Sequence, residues 1–493
     1  MKKLLSRILL LFLVHHNLNA QSLSDFSKGG KVHQMSLELW DTHYRDYWTK
    51  QIQQRLIEQG DVYVLYDVQI GGLQSFVEMN RRCGDVKQLR EIATMLSPAF
   101  SQLRPVAGGN SSQGWVCTGG TICPAYNLMD KEVPLCSSQF LGLLGAVATA
   151  MTDVIPKHEL SEADKSFLGE TVNTMAVHLN RWFDDRYFES VVRRTGISRE
   201  AIRDGSSRFF FTDRDLWYLT IVSDLSELYL KGLRPSREDG AGAISELMNK
   251  KVGIGKTFDL FLARLVLTPT ANGPAADLDK GYWRLFFDNR YALYDGELSP
   301  VTWKKKEDGT FEVITQVPWD SSYLSADAGW DISHARRLVP ALETFARNQR
   351  SIREVWGYEN PRFDPQAIRK AFANQIIEKI WNKDAEYPLF SNYWSGDNGW
   401  YRVAYAAQTG RQFSGYPPFG LSNSIPEGGY PIWGTLHPQL DAISRRLYEL
   451  AGSDDEKARA FMAKHYGHLM FVGPQGQKRK PSFSFLSDLV ETR

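Results

Sequence analysis

Apolar residues return every three or four positions along most of this chain: Leu144, Val147, Met151 and Val154; Leu168, Val172, Met175 and Leu179; Leu440, Ile443, Leu447 and Leu450. On an α-helix that spacing gathers them on one face, and each such face must be covered by another element. The fold class is therefore mainly α. Helix starts are marked by Ser161 with Asp164 three residues on, by Asp213 ahead of "RDLWYLTIVSDL", and by Asp364 followed by Pro365 at the first helical position. Gly232 and Gly452 mark stops. Helices of about 15 to 20 residues, joined in pairs on a loose period, form an array of helical hairpins.

One stretch breaks the pattern. "ALYDGELSPVTWKKKEDGTFEVITQVPWD", residues 292–320, carries a Glu-Asp-Gly turn between extended runs and predicts an inserted β-hairpin. "VGIGKT" near Lys256 is no phosphate loop, because Lys250 stands where the first glycine belongs and no strand precedes it.

With 58 Lys and Arg against 57 Asp and Glu, no broad field draws the protein to nucleic acid, so anion recognition must be local. Residues 1–20 read as an export signal: Lys2, Lys3 and Arg7, an apolar run from Ile8 to Val14, then Ala20. The run is too short to span a bilayer, and no later stretch has the look of a membrane span. The remainder, 21–493, is read as one large domain of a periplasmic or secreted protein. Export permits disulfides, and the four cysteines, Cys83, Cys117, Cys123 and Cys136, lie close together in and around an irregular loop at 104–136. Of the three possible connectivities, Cys117–Cys123 with Cys83–Cys136 is favoured. Without CxxC spacing, a metal cluster is the weaker reading.

A corner is written twice. "YLSADAGW" runs from Tyr323 to Trp330 and "YWSGDNGW" from Tyr393 to Trp400, with tyrosine, serine, aspartate, glycine and tryptophan in the same order. Each is expected to lead into a helix: Leu338, Val339, Leu342 and Phe345 come after the first, and Val403, Ala404 and Ala407 after the second. An aspartate cap and a turn glycine are ordinary structural devices. The cations beyond them are not. Arg336 and Arg337 after the first corner and Arg402 after the second place positive charge where a helix dipole disfavours it, at a cost of about 0.3–1 kcal/mol per charge, which a bound anion would offset. His334, three residues after Asp331, shares those surroundings and is the candidate general base; its bland alternative is a histidine that holds the turn.

"SADAGWDISHARRL" and "PLFSNYWSGDNGWYR" resemble the cleft-lining loops of the (α/α) toroid enzymes that act on carbohydrates, and "VYVLYDVQIGG", around Tyr66 and Asp67, is similar to another inner helix of that superfamily. The resemblance implies a toroid of helical hairpins whose inner-helix N-termini line one cleft, with equivalent turns recurring at its rim. It implies a polysaccharide as partner; no cofactor and no metal-ligating residue is assigned, and a monomer is expected. It leaves three functions open. In a lyase acting on a uronic-acid polymer, Arg336, Arg337 or Arg402 neutralises the sugar carboxylate, His334 abstracts the proton at C5, Tyr323 or Tyr393 protonates the leaving oxygen, and Asn392 or Asn398 assists. In a glycoside hydrolase, two of Asp327, Asp331 and Asp397 act as acid and base or nucleophile. In a binding or assembly protein, Trp330, Tyr393, Trp394 and Trp400 stack on sugar rings, with Asp67 also in the cleft.

Overall fold

A computed structural model describes residues 27–106, 112–205, 209–281, 290–319, 321–323, 327–405 and 411–467. The export signal lies outside the described residues, as do residues 324–326 of the first corner and Ala407 of the second corner's continuation. The protein is mainly helical, with three two-stranded antiparallel pairs among the described residues.

Helical turns fill residues 31–58 and lead to α1 (Tyr63–Val68), α2 (Gln74–Cys83), α3 (Pro134–Val154), α4 (Glu162–Trp182), α5 (Asp213–Leu230), α6 (Glu238–Asn249), α7 (Leu338–Arg347) and α8 (Pro365–Gln375). The expected caps form. Ser161 and Asp164 make a reciprocal capping box on α4, and Asp364 caps α8 ahead of Pro365. On α5 the cap is Thr212, with Asp215 as its box partner, one residue before the expected Asp213. Helices pair along the chain: α3 packs on α1, α2 and α4, α4 on α6, α3 on α5, α5 on α7, and α7 on α8. The apolar stripes read from sequence are the buried faces of these contacts; Leu144, Val147, Leu168, Val172, Met175 and Leu179 are all fully buried. Among the described residues α3 alone is long and apolar enough to cross a membrane, but 89% of its apolar window is buried inside the protein, as in a central core helix.

The inserted hairpin pairs β5 (Val301–Lys305) with β6 (Phe311–Thr315), its turn at Glu307-Asp308-Gly309. The loop after residue 102 contains β1 (Leu103–Pro105) and β2 (Gln113–Trp115). A third hairpin, β3 (Leu265–Thr268) with β4 (Ala275–Leu278), was not expected. The "VGIGKT" segment is helical, inside Lys251–Arg264.

Three expectations are corrected. Cys117 and Cys123 form a disulfide, in keeping with an oxidising compartment, but Cys83 and Cys136 are separate buried thiols. Among the described residues the second corner does not lead straight into a helix: Arg402 and Ala404 have positive φ, 52° and 60°, and Tyr401 pairs with Tyr416 in an isolated bridge. Lastly, the corners do not stand side by side at successive helices. They pair with each other in antiparallel sense, Asp331 opposite Tyr393, with Trp394 N–H donating to Trp330 O (2.6 Å) and Ile332 N–H to Asn392 O (2.9 Å).

Candidate active site

The first corner ends at Asp331, which is fully buried and caps the single turn Ile332–Ala335: its Oδ1 accepts from the backbone N–H groups of Ser333 and His334, both at 3.1 Å. The same carboxylate meets the imidazole it helps to place, with His334 Nδ1 at 3.1 Å from Oδ1 and 2.8 Å from Oδ2. Burial opposes ionisation of Asp331. The charge of His334 and hydrogen bonds from His334 and Ser333 outweigh it and hold the carboxyl at about 2. His334 therefore has a buried carboxylate as its nearest charged neighbour, rather than purely positive surroundings.

The second corner's continuation reaches the same imidazole. Tyr401 OH lies 3.3 Å from His334 Nδ1, and Arg402 Nε donates to Tyr401 OH at 2.9 Å. Burial, then Asp331, pushes the Tyr401 phenol well above its ordinary value against the pull of Arg402, so Tyr401 is a proton donor at neutral pH. The left-handed backbone at Arg402 is the local strain that turns this pair inward. Tyr405, exposed beside it, lies 4.3 Å from the Arg402 guanidinium, and Tyr416 stacks on Tyr401.

Arg337, 3% exposed, ties this group to the helix starts. Its Nε donates to Gln139 Oε1 (3.0 Å) on α3, Nη2 to Tyr66 OH (3.3 Å) on α1, and Nε lies 3.6 Å from Asp213 Oδ2 at the first residue of α5. The early turns of α1, α3, α5 and α7 thus meet at one place, beside Asp331 and Tyr401.

Other expected residues have structural work. Trp394 Nε1 donates to Ala276 O (2.9 Å) and Trp400 Nε1 to Gly296 O (2.8 Å); with Trp330 they are buried at 1%, 5% and 3% exposure, so none of the three offers a ring face to a sugar. Tyr393 is fully buried, its hydroxyl on Trp400 O at 3.1 Å. Tyr323 packs on Tyr291 and Tyr294. Asn392 bonds Gly399 O, Pro417 O and Leu421 N–H, while Asn398 accepts from Asn392 N–H and Phe419 N–H. Asp327 is exposed and pairs with Arg203 at 3.3 Å. Asp397 accepts from Ser395 Oγ at 2.6 Å and faces Asp277 on β4, whose carboxyl is pushed up to about 7, chiefly by burial, with Asp397 and Asp279 adding to it. Asp67 pairs with Arg55 at 2.6 Å on the wall of a neighbouring cleft that also holds Arg336.

Sequence reasoning thus missed Tyr401, Asp277 and the aromatic pair Tyr405 and Tyr416. The one available signal for Tyr401 was its place between Trp400 and Arg402, directly after the repeat. Comparison with family models, with curated proteins and with solved structures finds no match, so the chemistry of this site rests on its geometry.

Proposed function

We propose that the protein is an exported enzyme that cleaves a uronic-acid-containing polysaccharide by β-elimination. One observation carries the reading: Asp331, His334, Tyr401 and Arg402 form a continuous chain of contacts from a buried carboxylate through an imidazole and a protonated phenol to a guanidinium. Asp331 fixes the imidazole by Nδ1, which makes Nε2 the atom to take a proton. Arg402 neutralises the uronate carboxylate and so acidifies the proton at C5. That proton passes to His334, the electron pair forms the C4–C5 double bond, the C4–O bond breaks, and Tyr401 delivers its proton to the leaving oxygen. Arg402, already bonded to the phenol oxygen, stabilises the phenolate left behind. The meeting of four helix starts at Arg337, and a cleft lined by both α2 and α7, fit a closed ring of hairpins, the toroid that the sequence resembles.

A second reading has its own observation. A carboxyl with a pKa near 7 beside another carboxylate is what a glycosidase acid needs, and Asp277 with Asp397 supplies such a pair. Incubating the mature protein with a panel of uronate and neutral polysaccharides separates the two. Elimination yields an unsaturated, ultraviolet-absorbing end, and hydrolysis yields only a new reducing end. His334→Ala and Tyr401→Phe should each lower elimination by about a hundredfold or more, while Tyr393→Phe leaves it nearly intact. Near-normal turnover in His334→Ala, with loss in Asp277→Asn, would discard elimination in favour of hydrolysis.

A further inference from the structure

The helix that begins "VYVLYDVQIGG" breaks at its double glycine, and the break opens onto a cleft of two lobes. Gly72 adopts φ +93°, a conformation that excludes most side chains, and a Cβ at Gly71 would stand 2.2 Å from the Trp48 ring. The inner lobe, about 60 Å³, lies between α2 and α7; the outer lobe, about 310 Å³, is walled by Tyr47, Trp48, Arg55 and Asp67. Gly72, Ile70, Arg336 and Glu427 line both, so the lobes are continuous.

Several polar groups in this cleft lack partners among the described residues. In the inner lobe Arg337 Nη1 and Arg347 Nε are buried donors without an acceptor, and Gln74 Oε1 is a buried acceptor without a donor. Arg336, partly exposed between the lobes, makes no side-chain hydrogen bond or ion pair among the described residues. In the outer lobe Trp48 Nε1 is a further buried donor without an acceptor. A buried polar group left unsatisfied opposes folding, and a ligand that pairs these groups would offset that cost. On the inner wall Arg81, Arg336, Arg337 and Arg347 outnumber the carboxylates Glu78, Glu343 and Glu427 by one, so the ligand that fits brings a single anionic group to the arginines and a hydroxyl donor to Gln74. The inner lobe has room for one small charged group only, whereas the outer lobe has room for a ring and an aromatic wall on which to lay it.

We propose that this cleft is a binding site for an anionic monosaccharide unit, its ring in the outer lobe against the exposed face of Tyr47, with buried Trp48 supplying only its indole N–H, and its carboxylate or sulfate in the inner lobe at Arg336, Arg337 and Arg347. The unit is distinct from the one that reacts at His334. That both belong to one polymer rests on the elimination reading; that the cleft takes an anionic sugar does not.

Calorimetric titration of the mature protein with sodium glucuronate, glucose and sodium sulfate tests it. Glucuronate should bind, glucose should not bind measurably, and sulfate should bind about tenfold or more weakly than glucuronate. Arg336→Gln should weaken glucuronate about tenfold. Tyr47→Ala, at an exposed position where the fold is safe, should weaken glucuronate but leave sulfate unchanged. Equal binding of glucose, or of sulfate, would overturn the proposal, as would an absence of glucuronate binding in the folded wild type. His334→Ala should bind glucuronate as the wild type does; loss of binding there would place the ligand at the reacting site and overturn the separate subsite. The elimination reading is judged on product absorbance, so the two fail independently.

Discussion

Replacing Asp277 by asparagine should stabilise this protein, and by an amount that depends on pH. Asp277 sits on β4, 8% exposed, with one oxygen accepting from Leu278 N–H at 2.7 Å. A Cβ at Gly329 would come within 3.3 Å of both its oxygens, so the carboxyl faces the first corner directly. Burial is the main force against ionisation, Asp397 and Asp279 add repulsion, and Lys280 and the Leu278 N–H only partly offset them, leaving the pKa at about 7 against an ordinary 3.8. A raised carboxyl pKa means that between those two values the folded protein keeps a proton that the unfolded chain releases. Stability therefore falls as pH rises through the window, and the whole cost is present above pH 7. Roughly three pH units at 1.4 kcal/mol each give about 4 kcal/mol. Asparagine has the same shape, retains the acceptor for Leu278, and does not titrate. Urea unfolding at intervals from pH 4 to pH 8 should show Asp277→Asn nearly equal to wild type at the acid end and more stable by about 4 kcal/mol at the alkaline end. Asp397→Asn, by removing one repulsion, should leave the onset of the decline near 3.8 but end it at a lower pH and make it smaller. A difference between Asp277→Asn and wild type that stays flat across the range would refute the reasoning.

Thiol titration of the denatured, unreduced protein should find two reactive sulfurs, Cys83 and Cys136; finding none would reinstate the second disulfide. Asp331→Asn should cost about 2 kcal/mol at pH 6, because a carboxyl held near 2 contributes stability that is present above about 3.8 and lost as pH falls through 2. A stability gap that persists unchanged at pH 2 would contradict that assignment. Gly72→Ala should lower stability by roughly 1–2 kcal/mol, the strain of a left-handed alanine, measurable as a drop in Tm; an unchanged Tm would mean that the helix break is not strained.

What the sequence disclosed was local. The Ser161–Asp164 box, the Asp364–Pro365 start and the Glu-Asp-Gly hairpin turn are each decided within a few residues, and each forms. The β3–β4 hairpin escaped because its alternation is blurred: Ala275, Ala276 and Leu278 are all buried around Asp277, so no polar face marks the strand. The three tryptophans were read as sugar platforms because type and position do not say which way a ring points. Their indole N–H groups or ring faces are spent inside the protein, and the exposed aromatics beside the site are Tyr405 and Tyr416. Tyr401 gains its role from a histidine 67 residues away, a contact that no local pattern encodes. The Cys83–Cys136 pairing failed for the same reason: proximity in sequence is a weak guide to proximity in a fold whose neighbours are set by helix packing.

The doubled corner shows how a repeat can be legible while its purpose is not. Two similar sequences suggested two equivalent helix starts, but among the described residues only the first leads straight into a helical turn. The second copy supplies the partner strand: Gly329 N–H donates to Ser395 Oγ at 3.0 Å, and Ser395 Oγ donates to Asp397 at 2.6 Å, so the serine of one copy seats on the glycine of the other. Backbone bonds at Trp330 and Ile332 then lock the register. The antiparallel pairing sets Asp331 and Ile332 against Tyr393 and Asn392, and the second copy's own turn, with Tyr393 N–H donating to Asp397 O (3.1 Å) and Tyr393 OH to Trp400 O (3.1 Å), returns the chain to the same spot, where Asp331 and His334 arrive from the first copy and Tyr401 and Arg402 from the second. A one-residue insertion between Trp394 and Trp400 would preserve both turns as sequences yet shift Tyr401 relative to His334, and should abolish activity while leaving the helical core, and so most of the far-ultraviolet dichroism, unchanged.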